Sequence, residues 1–492
     1  MKLSGRSDST PRFLARLGLL VAAFSAPAAA DGATAATSDG PVLVRDWGYQ
    51  LQGGPGEEGL QPAGLAAAPH DLIVMDFSAY GDEGSKFTAQ QIADVKHSVG
   101  GDGSRRAAVA YVSIGEASEF RSYWDAGWTA SGAADSPLTA AAPNWLGPTN
   151  PDWPESRKVR YWDPAWQTAI FNEGGTGWLD QVVSQGFDGA YLDIVDAYYF
   201  WGNEAQPADA RPGDPLNGQA AARRMAEFVV AMTAHARQTN PQFFVIPQNG
   251  EFILSDLANG PSPQPADGQL RADYLDAMFA IGIEDIYYRG DADVNNPLNV
   301  DADKVQVLKD DFLAAGKAVL VVDYLSTPGS VASFESLARS DQFVPYAAPT
   351  RDLDRLGPPA PSLAADFNQD GVIDAQDLAV WAASYAATAG LDADANHDGR
   401  IDAADYTAWR DAAAALNPAL TSTPEPSGTA ILVVLLALWP RQKLRRIALT
   451  LCQKSTCRRR PTAGWDSSRA ARNGRRRLPY EGAVVVSGGS DS

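Results

Sequence analysis

The sequence predicts an α/β chain: a (β/α)8 TIM-type barrel over residues 41–350, followed by a small all-α module over residues 363–415. Three observations predict it. Apolar runs of strand length alternate with helical patterns eight times. Those runs are nearly continuous in apolar character, as strands buried on both faces read. After the alternation ends, a 17-residue stretch recurs at an offset of 28 residues.

The candidate strands are 42–51, 72–78, 107–115, 189–194, 243–249, 277–285, 318–325 and 343–349. Helical patterns lie between them at Thr88–Ser98, Trp166–Gln185, Gly218–Thr239, Ala302–Ala315 and Val331–Ser340. Strict strand–helix alternation over a segment of this length suits a barrel. An open doubly wound sheet is the alternative, but no Gly-x-Gly-x-x-Gly follows a strand.

The two ends read as address labels. Lys2, Arg6, Arg12 and Arg16 precede a short apolar run, Leu17 to Phe24, and Ala28-Ala29-Ala30 supplies small residues for cleavage. This pattern predicts a secretory leader over residues 1–30, hence a secreted or envelope protein. Near the other end, Thr423-Pro424-Glu425-Pro426-Ser427 is followed by an apolar run to Trp439 and by Arg441, Lys443, Arg445 and Arg446. Residues 423–446 resemble a PEP-CTERM sorting signal, which implies processing and transient membrane contact during export. Residues 447–492 form a basic tail that departs from that pattern, and residues 351–362 form a linker.

Charge excludes one class of partner. Lys plus Arg number 40 against 60 Asp plus Glu, a net −20, which argues against nucleic acid. The only cysteines, Cys452 and Cys457, lie in the basic tail, so no disulfide scaffold supports the domains before it.

The repeat has its own chemistry. Ala365–Trp381 and Ala393–Trp409 are identical at ten of 17 positions, and each contains Asp-x-Asn-x-Asp-Gly-x5-Asp. Calcium takes six to eight oxygens, and this spacing turns them inward. The expected ligands of the first loop are Asp366, Asn368, Asp370, the Val372 carbonyl, Asp374 and Asp377. Those of the second are Asp394, Asn396, Asp398, the Arg400 carbonyl, Asp402 and Asp405. Two Ca2+ ions are therefore expected. With Asp rather than Glu closing each loop and one helix after each, residues 363–415 resemble a dockerin type I module. That resemblance implies a cohesin-type protein partner. Loop positions 10 and 11 are Ala375-Gln376 and Ala403-Ala404 here, not the Ser-Thr pair of clostridial cellulosomes.

Barrel chemistry sits at the C-terminal ends of the strands. Here those ends carry Asp76, Ser113 to Glu116, Asp193 and Asp196, Gln248-Asn249 with Glu251, Glu284-Asp285, and Asp323. Helix capping accounts for one or two such acids but not for all of them. The four histidines, His70, His97, His235 and His397, fall below a strand, in helices and in a calcium loop, and no Gly-x-Ser-x-Gly elbow occurs. Paired carboxylates remain, the equipment of glycosidic cleavage without a catalytic cofactor. Trp124, Trp128, Trp145, Trp153, Trp162 and Trp166 crowd the segment after the third strand, and Tyr198, Tyr199 and Trp201 follow Asp193. Flat rings match the apolar faces of a pyranose.

The blocks AYVSIGEASEFRSYW, NPDWPESRKVRYWDPAWQ, GFDGAYLDIVDAYYFW, IPQNGE and the GIED-containing strand then occur in order. They are similar to glycoside hydrolase family 114, the endo-α-1,4-polygalactosaminidases. The resemblance implies a TIM-like barrel that hydrolyses α-1,4-linked galactosamine polymers. It places the two catalytic acids on Asp193 and Glu251. By position, Asp193 at the end of the fourth strand is expected to be the nucleophile and Glu251 after the fifth the general acid/base. Asp76, Tyr111, Glu116, Trp162, Tyr198, Asn249, Glu284, Asp285 and Asp323 are expected to bind substrate. Retention of configuration requires the two carboxyls about 5–5.5 Å apart, inversion about 6.5–9.5 Å. Residues 31–360 carry 21 basic and 45 acidic side chains, which suits a cationic sugar. A non-catalytic polysaccharide-binding envelope protein, or a hydrolase of another α-linked glycan, are the competing readings.

Overall fold

The computed structural model of the chain describes residues 32–98, 105–360, 365–368, 373–388, 393–395 and 400–416. The leader, the sorting segment, the basic tail and four expected loop ligands, Asp370, Val372, Asn396 and Asp398, lie outside them. Among the described residues no helix is long and apolar enough to cross a membrane.

The chain has a mixed α/β fold with parallel-strand sheets. Its strands are β1 (Ala33–Ala35), β2 (Val42–Val44), β3 (Trp47–Gln50), β4 (Leu72–Met75), β5 (Ala107–Ser113), β6 (Glu116–Ser118) and β7 (Leu146–Thr149). Then come β8 (Ser156–Val159), β9 (Gly189–Asp193), β10 (Phe244–Pro247), β11 (Ala280–Glu284), β12 (Ala318–Tyr324) and β13 (Val344–Ala348). Two sheets are all parallel: five strands in the order β10-β9-β5-β4-β3, and three in the order β11-β12-β13. Parallel bridges Val245 to Met278 and Gln248 to Gly282 join β10 to the β11 edge. At the other two edges, Trp47 Nε1 donates to the Val344 carbonyl at 3.0 Å, and Tyr346 Oη to the Tyr49 carbonyl at 3.4 Å.

Strand period explains the core. Successive side chains point to opposite faces. Leu72, Val74, Val109, Tyr191, Ile246, Leu320 and Val322 enter one apolar cluster with Trp47, Tyr49 and Tyr346. Their alternates Ile73, Met75, Ala110, Leu192, Val245, Val319 and Val321 enter a second cluster, which also takes the helix faces. Both faces are dry, which is why the runs read as continuously apolar. Rings fill the first cluster: Trp47 lies 5.4 Å from Tyr346 and Tyr49 lies 5.1 Å from Tyr191. Gly282 makes room for Tyr191, since a Cβ there would sit 2.3 Å from its hydroxyl. Gly282→Ala is expected to cost about 1–3 kcal/mol by overpacking, read as a lowered melting temperature.

Several expected elements divide. The single strand over 42–51 is two, because the chain bends at Arg45-Asp46. There the Arg45 N–H donates to Asp71 Oδ2, and Asp46 Oδ1 accepts from the Asp71 N–H. β2 pairs antiparallel with β1, which the sequence reading missed. The helix expected over Trp166–Gln185 is two, Pro164–Ile170 and Trp178–Gln185, interrupted by Gly174, Gly175 and Gly177. The segment after β5 holds a three-stranded antiparallel sheet in the order β6-β8-β7 where only an aromatic loop was expected. Its rings are largely core: Trp145 stands 4.9 Å from Trp166, and both are buried. Thr88–Ser98 agrees closely, with Thr88 capping a helix over Ala89–Lys96 and Gln91 closing the capping box.

Candidate active site

The C-terminal ends of β9, β10 and β11 share an unusual backbone. Ile194 follows β9 with φ 58°, Asn249 follows β10 with φ 59°, and Asp285 follows β11 with φ 51°. Left-handed geometry is costly for non-glycine residues, most of all for a β-branched one, and such strain clusters where a site requires it. Gly115 allows the approach, because a Cβ there would lie 2.1 Å from the Ile194 carbonyl oxygen.

These turns present an acidic cluster. Asp193 ends β9, half-buried. Its Oδ2 accepts from Tyr111 Oη at 2.5 Å and its Oδ1 from the Ile194 N–H at 2.8 Å. Burial pushes its carboxyl up to about 7; the Tyr111 hydrogen bond opposes the rise, and Glu284 and Asp196 add to it. Asp196 is also raised to about 7, by burial first and then by Glu284 and Glu251, against the pull of Lys158. Glu284 ends β11 with both oxygens held: Oε1 accepts from Asn249 Nδ2 at 3.1 Å and Oε2 from Tyr324 Oη at 2.8 Å. Among the described residues no Lys or Arg forms an ion pair with Asp193, Asp196 or Glu284.

Glu251 begins the turn after β10 and is only 2% exposed. Lys304 Nζ lies 3.1 Å from its Oε1, while its Oε2 is buried without a hydrogen-bond partner among the described residues. An orphaned buried acceptor is expensive unless a ligand meets it.

Other expected substrate contacts have different surroundings. Asp323 is fully buried and accepts from the N–H groups of Ile286, Tyr287 and Tyr288 at 3.1, 3.1 and 2.7 Å, so it holds the turn after β11. Asp76 pairs with Arg121 at 2.8 Å, and Arg121 lies over the Trp178 ring at 4.1 Å. Tyr198 is fully buried and donates to Asp256 at 2.9 Å. Trp162 packs edge-on against Tyr161 and Trp201 at 4.9 and 5.4 Å. Asp285 is bound by Arg351 at 2.8 and 2.9 Å, and Glu116 by Asn150 Nδ2 and Lys158 Nζ at 2.9 and 3.1 Å. Tyr111, Asn249 and Glu284 therefore share the cluster with Asp193, while Asp76, Tyr198 and Asp323 brace the elements around it.

Sequence reading missed Tyr324, Lys158 and Lys304. Tyr324 had a signal: in VVDYL, period two puts it on the face of Val322 and Leu320, whereas Asp323 points the other way. Lys304 had none, since it enters from the helix Ala302–Val307.

The model of glycoside-hydrolase family GH114 matches residues 26–358, which include every residue of this cluster. The chain belongs to that family. It is a glycoside hydrolase. The hydrolase is 31% identical over 321 residues to an uncharacterized protein of Methanocaldococcus jannaschii, covering 63% of this chain and 77% of that protein. It is 33% identical over 315 residues to an uncharacterized protein of Deinococcus radiodurans, covering 64% and 82%. Among solved structures, the glycoside hydrolase domain of a PelA variant from Pseudomonas aeruginosa aligns with TM-score 0.41 and 17% identity, covering 63% of this chain and 97% of that one.

The raised carboxyls affect stability as well as chemistry. A folded-state value near 7 for Asp193 and Asp196 means the native state keeps protons that the unfolded chain releases near 4. Their contribution therefore lowers stability as pH rises from about 4 to about 7 and is level above that. Asp193→Asn is expected to flatten this fall, measured as the difference in melting temperature from the wild type across pH 4 to 8. An unchanged difference across that range would contradict it.

Proposed function

We propose that the hydrolase closes its eight parallel strands into a (β/α)8 barrel and cleaves α-1,4-linked galactosamine-type polysaccharide outside the cell. The observation that carries this reading is the cluster at the ends of β9 to β11. There Asp193 is oriented by two donors, beside Glu284 and Asp196, with no cation among the described residues paired to any of the three. An ammonium sugar supplies the missing positive charge.

Asp193 attacks the anomeric carbon. The bond to the leaving oxygen breaks, and Glu251 delivers a proton to that oxygen from Oε2, the atom without a hydrogen-bond partner among the described residues. Glu251 then takes a proton from water, which displaces Asp193 from the sugar. Glu284, locked by Asn249 and Tyr324, and Asp196 receive the sugar amine. The test is reducing-end release from α-1,4-galactosamine polymer against a panel of neutral α-glycans. Equal turnover of the neutral glycans removes the amine specificity, and no turnover of any removes the substrate assignment. Since Asp193 must be ionised and Glu251 protonated in the same molecule, kcat/KM on the polymer is expected to be bell-shaped in pH, falling at both low and high pH.

Residues 363–415 are proposed to bind two Ca2+ ions, which stabilise the module and take no part in hydrolysis. The residues described there fit a hard cation: Asp377 and Asp405 are fully buried, and Asp366 and Asp394 nearly so. Asp377 accepts from the N–H groups of Asn368 and Asp374 at 3.1 and 2.7 Å, and Asp405 from that of Asp402 at 2.7 Å. The two copies brace each other. Trp381 Nε1 donates to the Asp402 carbonyl at 2.8 Å, and Trp409 Nε1 to the Asp374 carbonyl at 2.9 Å. Chelation of the full chain is expected to abolish hydrogen-exchange protection of the helices Ala375–Ser384 and Ala403–Leu416 while leaving β3 to β13 protected. Unchanged protection in both helices would refute calcium binding.

A further inference from the structure

We propose that Tyr80, Phe120 and Trp153 form an outlying binding surface for sugar units of the polysaccharide beyond those at the reacting bond. The chemical class rests on the function proposed above; the surface itself does not.

These three rings are 58%, 47% and 49% exposed, whereas among the described residues most of the other large aromatic side chains are buried. They stand on neighbouring loops. Tyr80 and Gly81 follow β4, and the Gly81 backbone lies against the Phe120 ring, where a Cβ would come within 2.8 Å of it. The Glu119 N–H donates to the Glu155 carbonyl at 3.0 Å, and the Ser156 N–H to the Trp153 carbonyl at 2.9 Å, so Phe120 and Trp153 leave the β6–β8 pair side by side in the chain path. Arg121 fixes the group from beneath, donating to Asp76 and to the Gly81 carbonyl at 2.8 Å each. Exposed rings on braced backbone lose little freedom when a flat ligand stacks on them.

The surface continues from the acidic cluster. Lys158, whose charge acts on Asp196, pairs with Glu116 at the start of β6. Phe120 is four residues further along, in the turn that ends β6. Exposed Glu83 near Tyr80 and exposed Asp152 beside Trp153 flank the rings, with Arg121 over the Phe120 face at 5.0 Å and exposed Lys86 in the Glu83 loop. Apolar faces with carboxylates beside them match an aminosugar chain, which has apolar ring faces and ammonium edges.

The experiment uses the full chain with Tyr80→Ala, Phe120→Ala and Trp153→Ala, singly and together, with melting temperature as the control for folding. For α-1,4-galactosamine polymer, the triple variant is expected to show KM raised roughly tenfold or more with kcat within twofold. For a galactosamine trimer, which can fill the reacting bond without engaging the outlying rings, both constants should stay at wild-type values. Retardation in native gels cast with the polymer gives binding without turnover, and the triple variant should lose it. Polymer KM and retardation unchanged in the triple variant would overturn the proposal, as would an equal change with the trimer. Wild-type retardation that the triple variant loses, with no cleavage by either, would leave this surface standing and reject the proposed reaction. A wild type that the polymer does not retard rejects the surface.

Discussion

Asp193→Asn is expected to abolish turnover of the polymer, lowering kcat by roughly four orders of magnitude, in a protein that still folds. The amide keeps the shape of the carboxylate: its oxygen accepts from the Ile194 N–H, and its NH2 donates to Tyr111 Oη, which turns to accept, so the turn after β9 survives. What it lacks is the charge proposed to attack the anomeric carbon. Glu251→Gln is expected to fail differently. It removes the proton donor, so cleavage of the polymer collapses, whereas a synthetic glycoside whose leaving group needs no proton still reacts in the first step. The pair of results separates the two roles. Wild-type turnover in either variant rejects that residue, and equal loss on both kinds of substrate in Glu251→Gln rejects it as the acid.

The second large effect is on stability. Arg121→Met is expected to destabilise the protein by about 3–5 kcal/mol, because it leaves the Asp76 carboxylate buried without its cation. Arg121 donates to Asp76 at 2.8 and 3.3 Å and to the Gly81 carbonyl at 2.8 Å, and it covers Trp178. Adding Asp76→Leu should restore much of the loss, since an apolar pair of similar volume carries no stranded charge. Urea unfolding of the two single variants and the double variant measures the coupling. A double variant no more stable than Arg121→Met would show that packing on Trp178, rather than the ion pair, accounts for the cost.

The eight parallel strands were legible because both their faces are buried, which leaves long apolar runs that few other elements produce. The acids at their ends were legible as a set for the same reason: a charge that ends such a run stands out. Which of them face the cluster was harder to read. Asp323 and Tyr324 are neighbours in sequence, yet one ties down the turn after β11 and the other donates to Glu284. Strand period distinguishes them, whereas residue type had favoured the acid. The β6-β8-β7 sheet was illegible because its strands are three or four residues long and carry Ser, Arg and Lys, too short for any period to show. Asp193 and Glu251 were singled out by resemblance to a family rather than by spacing, and Lys304 reaches Glu251 from a helix distant in sequence.

The packed rings of Trp47, Tyr49, Tyr191 and Tyr346 have one more consequence. They plug the axis of the proposed barrel, so a glycan cannot be threaded through it end first. It has to be laid crosswise over the strand tips and lifted off the same side. If the proposed cleft is open at both sides, no free terminus is needed to start, and long chains should shorten from their middles, with viscosity falling well before small sugars accumulate.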